Sequence, residues 1–133
     1  MTIVVDSSAL IAILFSEPEG AAFARLLVEA DDVAVSAVTL HETRLVYAKR
    51  IVSADQTKLD ELLRLVRARI LPFDEEQADI AFKAFTRFGQ GRYGLNLCDC
   101  ASYALARSLG ASLLFKGEDF SRTDIAPAAD RHV

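Results

Sequence analysis

The sequence predicts an α/β fold in which helices cover both faces of a short parallel sheet. Runs of β-branched and other apolar residues alternate along the chain with helical patterns, and this alternation is typical of βαβ units. The chain has 133 residues, which suits one domain of ordinary size, and we expect residues 1–133 to form it. Because 52% of the residues are hydrophobic, a disordered or low-complexity chain is excluded.

The first half of the chain begins with a predicted strand over the β-branched residues 2–5. Asp6 and the two serines after it can cap a helix N-terminus, so a helix over residues 9–15 is expected next. That helix is apolar all round, which predicts that it lies inside the fold. The following predicted elements are a helix over 18–30, a strand over 33–35 and a helix over 37–52.

The second half opens with an amphipathic helix over residues 55–69, where apolar residues recur every 3.6 positions. Residues 70–73 are predicted as a strand, which Pro72 restricts to an edge or an end. The remaining predicted elements are a helix over 75–88, a helix over 97–109 between Asn96 and Gly110, and a strand over 112–115.

Charge and composition exclude several classes of protein. The 15 basic and 19 acidic side chains give a net charge of −4, which argues against a general nucleic-acid binder but permits an acidic metal site. Two cysteines cannot staple a secreted scaffold, and two histidines are too few for a Cys/His zinc module. The N-terminus has no signal-peptide pattern and no apolar run reaches 18 residues, so we expect a cytoplasmic protein without membrane association.

Two acidic residues follow strands of the predicted sheet, at the edge where parallel sheets bind ligands. Asp6 comes directly after the first strand, and Asp119 lies four residues beyond Phe115 in the loop that leaves the last one. Each also has a simpler interpretation, since Asp6 could only cap the next helix and Asp119 could only be a turn residue.

Two further acidic candidates, Glu42 and Asp99, belong to predicted helices. An ionised Glu42 on an apolar stripe would be costly unless it is paired or binds a cation; alternatively it reaches water or pairs with Arg44 or Lys49. Asp99 lies in the first turn of its helix, where it would complement the helix dipole and complete a capping box. The apolar stripe expected beside Glu42 runs through Val38, Leu45 and Val52.

The four carboxylates of Asp6, Glu42, Asp99 and Asp119 carry a stronger argument together than singly. Two like charges 4 Å apart repel by about 4 kcal/mol at an effective dielectric of 20, against a total stability of roughly 5–15 kcal/mol. If the fold gathers them, a hard divalent cation would relieve the repulsion, and oxygen ligands indicate Mg²⁺ or Mn²⁺. Such ions act on phosphates, so phosphodiester chemistry is the expected function.

Four ordered segments carry a family pattern: IVVDSSAL (3–10), SAVTLHET (36–43), LNLCDCA (95–101) and LLFKGEDF (113–120). In these segments the chain resembles the PIN-domain ribonucleases, and specifically the VapC toxins of bacterial toxin–antitoxin operons. The resemblance covers essentially the whole chain and implies one PIN domain, a PIN-like α/β/α sandwich with a short central parallel sheet.

The resemblance also implies an Mg²⁺-dependent endoribonuclease, with Mn²⁺ as a possible substitute. Asp6, Glu42 and Asp99 match the family's three most regular acidic residues, and Ser8 matches a small hydroxyl residue that supports the site. Asp6 and Asp99 would be the principal ligands of one or two metal ions. A metal-activated water would then attack the RNA phosphodiester and leave a 5′-phosphate and a 3′-hydroxyl.

The fourth acid is the position where the chain departs from the family pattern. Many PIN domains carry it three residues before the last motif's phenylalanine, where this chain has Gly117. Relatives with a similar segment use an acid nearer the phenylalanine, so we assign Asp119 and keep Glu118 as its substitute. Cys98 stands where close relatives often have glycine.

The predicted substrate contacts and partners complete the expectation. RNA phosphates need positive charge, and a tyrosine could stack on a splayed base, although each candidate could equally be a solvated side chain. The family implies a cognate VapB-type antitoxin that covers the site, and a homodimer. Residues 9–15 and the helices after Glu42 could supply the dimer surface, but core packing explains them equally well. The candidate substrate-binding residues are Arg87, Arg92, Tyr93, Lys116 and Arg122.

Several other site types fit less well. A phosphotransfer receiver needs an acidic pair after the first strand, and a haloacid-type phosphatase needs an aspartate at position 8; the chain has Ser7 and Ser8. A zinc-protease helix starting at His41 would need a second histidine where Leu45 stands, and no Walker loop is present. A non-catalytic RNA- or partner-binding domain on a PIN scaffold remains the alternative, because Gly117 departs from the pattern.

Overall fold

The computed structural model describes residues 1–89 and 94–129, and these contain four strands and six helices. In chain order the elements are β1 (Thr2–Val5), α1 (Ser7–Leu14), α2 (Gly20–Glu29), β2 (Asp32–Ser36), α3 (Ala37–Ile51), α4 (Thr57–Leu65), β3 (Ala68–Leu71), α5 (Glu75–Phe88), α6 (Leu97–Leu109) and β4 (Ser112–Leu114).

The strands form one parallel sheet in the order β3-β2-β1-β4. In the central strand β1, Ile3 is paired with Val33 of β2 and Val4 with Leu113 of β4. Strand β3 lies at one edge, as Pro72 predicts, because proline cannot donate to a neighbouring strand. The carboxyl ends of β1, β2 and β4 therefore meet along one edge of the sheet.

Helices cover both faces of the sheet, so the predicted α/β/α sandwich is confirmed. Val4 and Ala34 point to one face, where they pack against α5 and α6. Val5 and Val35 point to the other face and pack against α1, α2 and α4, since successive strand residues alternate in direction. Helix α3 contacts α1 on one side and α6 on the other, which brings it to the carboxyl edge.

Helix α1 lies inside the fold, as its uniform apolar character predicts. Residues 9–12 are buried, and three of them belong to the apolar cluster between the sheet and helices α1, α2 and α4. Core packing therefore already uses this surface. No helix within the two described ranges is both long and apolar enough to span a membrane.

The buried face of α3 differs from the predicted stripe. Thr39, Thr43 and Tyr47 are buried, whereas Leu45 is 47% exposed and Val52 is 87% exposed. The hydroxyl of Thr43 donates to the carbonyl oxygen of Thr39 at 2.8 Å, so a buried polar group is satisfied within the helix. The predicted apolar stripe is therefore wrong, because hydrogen-bonded threonines replace aliphatic residues on the inner face.

Helix α4 is shorter than the predicted helix over residues 55–69. Arg67 takes a left-handed backbone conformation with φ of 56°, which ends the helical path. Strand β3 begins at the next residue, so Ile70 belongs to an edge strand and is 40% exposed. Ile70 continues the 3.6-residue spacing of apolar residues although it lies in β3, which is why the predicted helix was too long.

Candidate active site

Asp6 occupies the carboxyl end of β1 and caps helix α1. Its Oδ2 accepts hydrogen bonds from the main-chain nitrogen of Ser8 at 3.1 Å and from the Ser8 hydroxyl at 2.7 Å. Its Oδ1 accepts from the hydroxyl of Ser102 at 2.7 Å. Burial raises the pKa of Asp6, these hydrogen bonds lower it, and the nearby charge of Glu42 raises it again. The net direction is upward, so the buried site disfavours the ionised form.

Asp99 begins helix α6 from the opposite side of the site. Asn96 and Asp99 form the predicted capping box, and Asp99 is only 6% exposed. Burial raises the pKa of Asp99 to about 7; the charges of Asp6, Asp119 and Glu42 also raise it, and the hydrogen bond from Asn96 lowers it. The charges of three acids from other segments therefore act on Asp99.

Glu42 projects from α3 toward the same region and is half-buried. It accepts a hydrogen bond from the hydroxyl of Ser7 at 2.5 Å. Cys98 lies beside it: burial, and then the charge and hydrogen bond of Glu42, raise the pKa of this thiol to about 11. In the described part of the chain Glu42 forms no ion pair with Arg44 or Lys49, the pairings considered as its alternative.

The loop after β4 supplies the fourth acid. Gly117 has a φ of 96°, a conformation that residues with a side chain rarely adopt, so an acid at this position would be strained. Asp119 and Glu118 are both exposed, and the charge of Asp119 is among those that raise the pKa of Asp99. The loop is held to the first acidic motif because the main-chain nitrogen of Lys116 donates to the Ser8 hydroxyl at 3.0 Å.

The donor set suits a hard divalent cation held largely through water. None of the four acids forms an ion pair with a basic side chain within residues 1–89 and 94–129. In those same ranges no three His, Cys, Asp or Glu side chains converge closely enough to ligate one ion directly. Mg²⁺ does not need such a cage, because it usually keeps several waters and binds through one or two carboxylates. Buried carboxyl oxygens with raised pKa values and no basic partner fit that mode.

Two of the predicted phosphate-binding residues, Lys116 and Arg87, pair with acidic side chains. The Lys116 ammonium lies 2.7 Å from Glu17 and 3.4 Å from Glu19, so acidic neighbours partly balance its charge. Arg87 lies at the end of α5, 3.6 Å from Asp124. Arg122 is exposed in the loop after β4. Arg92 and Tyr93 lie outside the described residues.

Sequence reasoning identified Ser8 but missed two other hydroxyl residues near the acids, Ser102 and Thr39. Ser102 and Thr39 are fully buried, and they bond to each other at 3.0 Å behind Asp6. A usable signal was present, because Ser102 lies three residues after Asp99 and Thr39 three residues before Glu42. Residues three apart share a helix face, so these hydroxyls had to point toward the same region as the acids.

Comparison with known proteins agrees with this geometry. Residues 3–126 match the family model described as PIN domain. The chain is 42% identical over 129 residues to ribonuclease VapC30 of Mycobacterium tuberculosis, an alignment that covers 95% of this chain and 98% of that protein.

Two solved structures share the fold. VapBC2 from Rickettsia felis, bound to a DNA fragment from their promoter, superposes with a TM-score of 0.73 at 20% identity and covers 96% of each chain. Mycobacterium tuberculosis VapC20, described as a sarcin-ricin loop cleaving toxin, gives a TM-score of 0.69 at 21% identity, with 93% of this chain and 96% of that chain covered. Since the family model and the VapC30 alignment both span nearly the whole sequence, the chain belongs to the PIN domain family and, within it, to the VapC ribonucleases.

Proposed function

We propose that the chain is a divalent-metal-dependent endoribonuclease that acts as the toxin of a toxin–antitoxin pair. The observation that carries the proposal is the position of Asp6, Glu42 and Asp119 near Asp99, whose pKa is raised to about 7, first by burial and then by the charges of these three acids. Like charges are gathered in this way where a cation is bound or protons are exchanged. The similarity to a ribonuclease at 42% identity supports RNA as the substrate.

Asp6 and Asp99 are the proposed holders of Mg²⁺, which Mn²⁺ could replace, while Glu42 and Asp119 complete the shell or orient water. Both oxygens of Asp6 are fixed by hydrogen bonds from Ser8 and Ser102. Asp99 uses Oδ2 for the helix cap, which leaves Oδ1 for the ion or its water. When bound, the ion would activate a water and polarise the scissile phosphate.

Glu42 is suited to a supporting role at this site. The Ser7 hydroxyl occupies one of its oxygens, Oε1, so Oε2 is the oxygen that could accept from water. Because Ser7 belongs to α1 and Glu42 to α3, this hydrogen bond also fixes the position of α3 relative to the Asp6 motif. A carboxylate held in this way can orient a water without rotating out of place.

A cognate VapB-type antitoxin is the proposed partner, and a homodimer is the proposed assembly. The likeness to one half of a VapBC pair supports this proposal at the level of the fold. Expressing the chain alone should arrest growth of the host cell, and co-expressing the antitoxin from a neighbouring reading frame should relieve the arrest. Growth arrest that also occurs with the Asp6→Asn chain would contradict a nuclease-based toxin.

The direct experiment is RNA cleavage in Mg²⁺ or Mn²⁺ by the parent chain and by Asp6→Asn and Asp99→Asn. We expect the parent to cleave and each variant to lose at least about 100-fold in rate, because each substitution removes a proposed metal ligand. The matched control is Asp79→Asn, the same chemical change at an exposed residue of α5, which should cleave like the parent. Cleavage that survives both site substitutions would refute the assigned residues.

A non-catalytic PIN-scaffold domain is the second candidate, and the specific observation in its favour is Gly117 at a position where many PIN domains carry an acid. The same experiment separates the two functions. A parent chain that binds RNA or a protein partner but cleaves no RNA in either metal would establish the non-catalytic function.

A further inference from the structure

A chain of buried hydroxyl groups stands behind Asp6. The hydroxyl of Ser102, on α6, donates to Oδ1 of Asp6 at 2.7 Å. The hydroxyl of Thr39, on α3, lies 3.0 Å from that of Ser102. Both side chains have no exposed surface, so water does not replace either partner.

The donor and acceptor of each hydrogen bond in this series of hydroxyl groups, called the hydroxyl relay below, follow from the number of hydrogens available. As a metal ligand Asp6 is ionised and can only accept, and a serine hydroxyl has one hydrogen to donate. Ser102 therefore donates its only hydroxyl hydrogen to Asp6 and must accept a hydrogen bond from Thr39. Thr39 donates its own hydrogen in turn, so the order is Thr39 to Ser102 to Asp6.

Ser102 lies on a different helix from the other hydrogen-bond donors to Asp6. The Ser8 nitrogen and hydroxyl belong to the first turn of α1, the helix that Asp6 itself caps. Ser102 belongs to α6, one turn after Asp99 on the same helix face. Its hydrogen bond thus joins one proposed metal ligand to the helix that carries the other.

From this geometry we propose that Ser102 is a positioning residue that sets the orientation of Asp6 relative to Asp99 for metal binding, and that Thr39 holds the Ser102 hydroxyl in its donating direction. The inference rests on the proposed function. Two carboxylates serve one ion only when their oxygens are correctly spaced, and partners behind metal ligands typically change metal affinity about 10–100-fold when removed.

The test is Mn²⁺ affinity, measured by titration calorimetry on the full chain. Ser102→Ala should weaken Mn²⁺ binding about 10-fold or more. Ser102→Thr, which keeps the hydroxyl, should bind within a few-fold of the parent. Thr39→Val removes only the hydroxyl that orients Ser102, so it should reduce the Mn²⁺ affinity by a smaller factor. In the Ser102→Ala background Thr39→Val should have no further effect, because the hydrogen bonds from Thr39 through Ser102 to Asp6 are already broken.

Thr43→Val is the matched control for a purely structural effect. Thr43 is an equally buried threonine one turn along α3, but its hydroxyl bonds to a main-chain carbonyl and not toward Asp6. It should bind Mn²⁺ like the parent, and metal-free thermal midpoints will show whether each variant is folded. At saturating Mn²⁺, the cleavage rate of Ser102→Ala should return toward that of the parent.

The outcomes separate the relay from the proposed function. If Ser102→Ala and Thr39→Val bind Mn²⁺ as the parent does while Asp6→Asn does not, the relay is overturned and the metal site stands. If Thr43→Val weakens binding as much as Ser102→Ala, the effect is one of packing and the relay is again overturned. A parent chain that binds no Mn²⁺ overturns the metal-dependent function together with the relay.

Discussion

Asn96 and Asp99 cap helix α6 reciprocally. The Asn96 Oδ1 accepts from the Asp99 nitrogen at 2.8 Å, and the Asp99 Oδ2 accepts from the Asn96 nitrogen at 3.1 Å. The pKa of the same aspartate is raised, first by its burial and then by the charges of neighbouring acids. One side chain thus stabilises the helix start while its charge opposes folding, a conflict typical of functional positions.

Asp99→Asn should separate these two roles. Asparagine keeps an oxygen for the cap and removes the charge, so the metal-free variant should unfold at the same temperature as the parent or a higher one, while cleavage is lost. Asn96→Ala is the comparison, since losing an N-cap costs about 1 kcal/mol of stability. Thermal unfolding in chelator measures both; an Asp99→Asn variant as unstable as Asn96→Ala would show that repulsion is unimportant here.

The pH dependence of stability should carry the signature of Asp99. Its pKa is raised from 3.8 to about 7 in the folded chain, so the folded state keeps a proton that the unfolded state has lost. This contribution to the free energy of unfolding is fully present below about pH 4 and is lost as pH rises through 7. Denaturant titrations of metal-free parent and Asp99→Asn should show the parent losing stability relative to the variant across this range. Parallel curves would contradict the raised pKa.

Asp119 and Glu118 form a matched pair for the fourth acid. Only Asp119 is among the principal charges acting on Asp99, so Asp119→Asn should reduce RNA cleavage at least about 10-fold, whereas Glu118→Gln should leave it nearly unchanged. Initial rates at fixed Mg²⁺ test this directly. The reverse order of effects would reassign the fourth acid to Glu118.

We expect Lys116 to contribute to the stability of the fold more than to RNA affinity. Its ammonium pairs with Glu17 and Glu19 just before α2, and the pair is partly exposed, so Lys116→Met should lower the free energy of unfolding only slightly. RNA affinity, measured with an inactive Asp6→Asn background, should fall by less than about threefold. A tenfold loss would show that Lys116 binds RNA phosphate.

Local signals predicted much of the fold. The bounds of α5 and α6 follow from the Asn96 cap, the Gly110 stop and apolar periodicity, and these agree with the structure. The edge position of β3 follows from Pro72. Such elements are predictable because the residues that define them are neighbours in the sequence.

The errors arose where distant groups satisfy one another. Thr39 reads as polar in sequence, yet it is buried because Ser102, on another helix, bonds to its hydroxyl. The sequence around Lys116 shows no partner for its charge, yet its ammonium pairs with Glu17, about one hundred residues away in the sequence. The rule that carboxyl ends of parallel strands share one edge predicted only Asp6 and Asp119, while Glu42 and Asp99 came from their helix positions and the family resemblance. The helix spacing that relates Ser102 to Asp99 and Thr39 to Glu42 was not used.

Calorimetric titration with Mn²⁺ of the parent, Asp6→Asn, Asp99→Asn and the Asp79→Asn control tests the acidic site most directly. We expect saturable binding by the parent and by the control, stronger at pH 8 than at pH 6 because protons compete for Asp99, and binding lost in both site variants. Undiminished Mn²⁺ binding by either Asp6→Asn or Asp99→Asn would contradict a metal site built from these carboxylates.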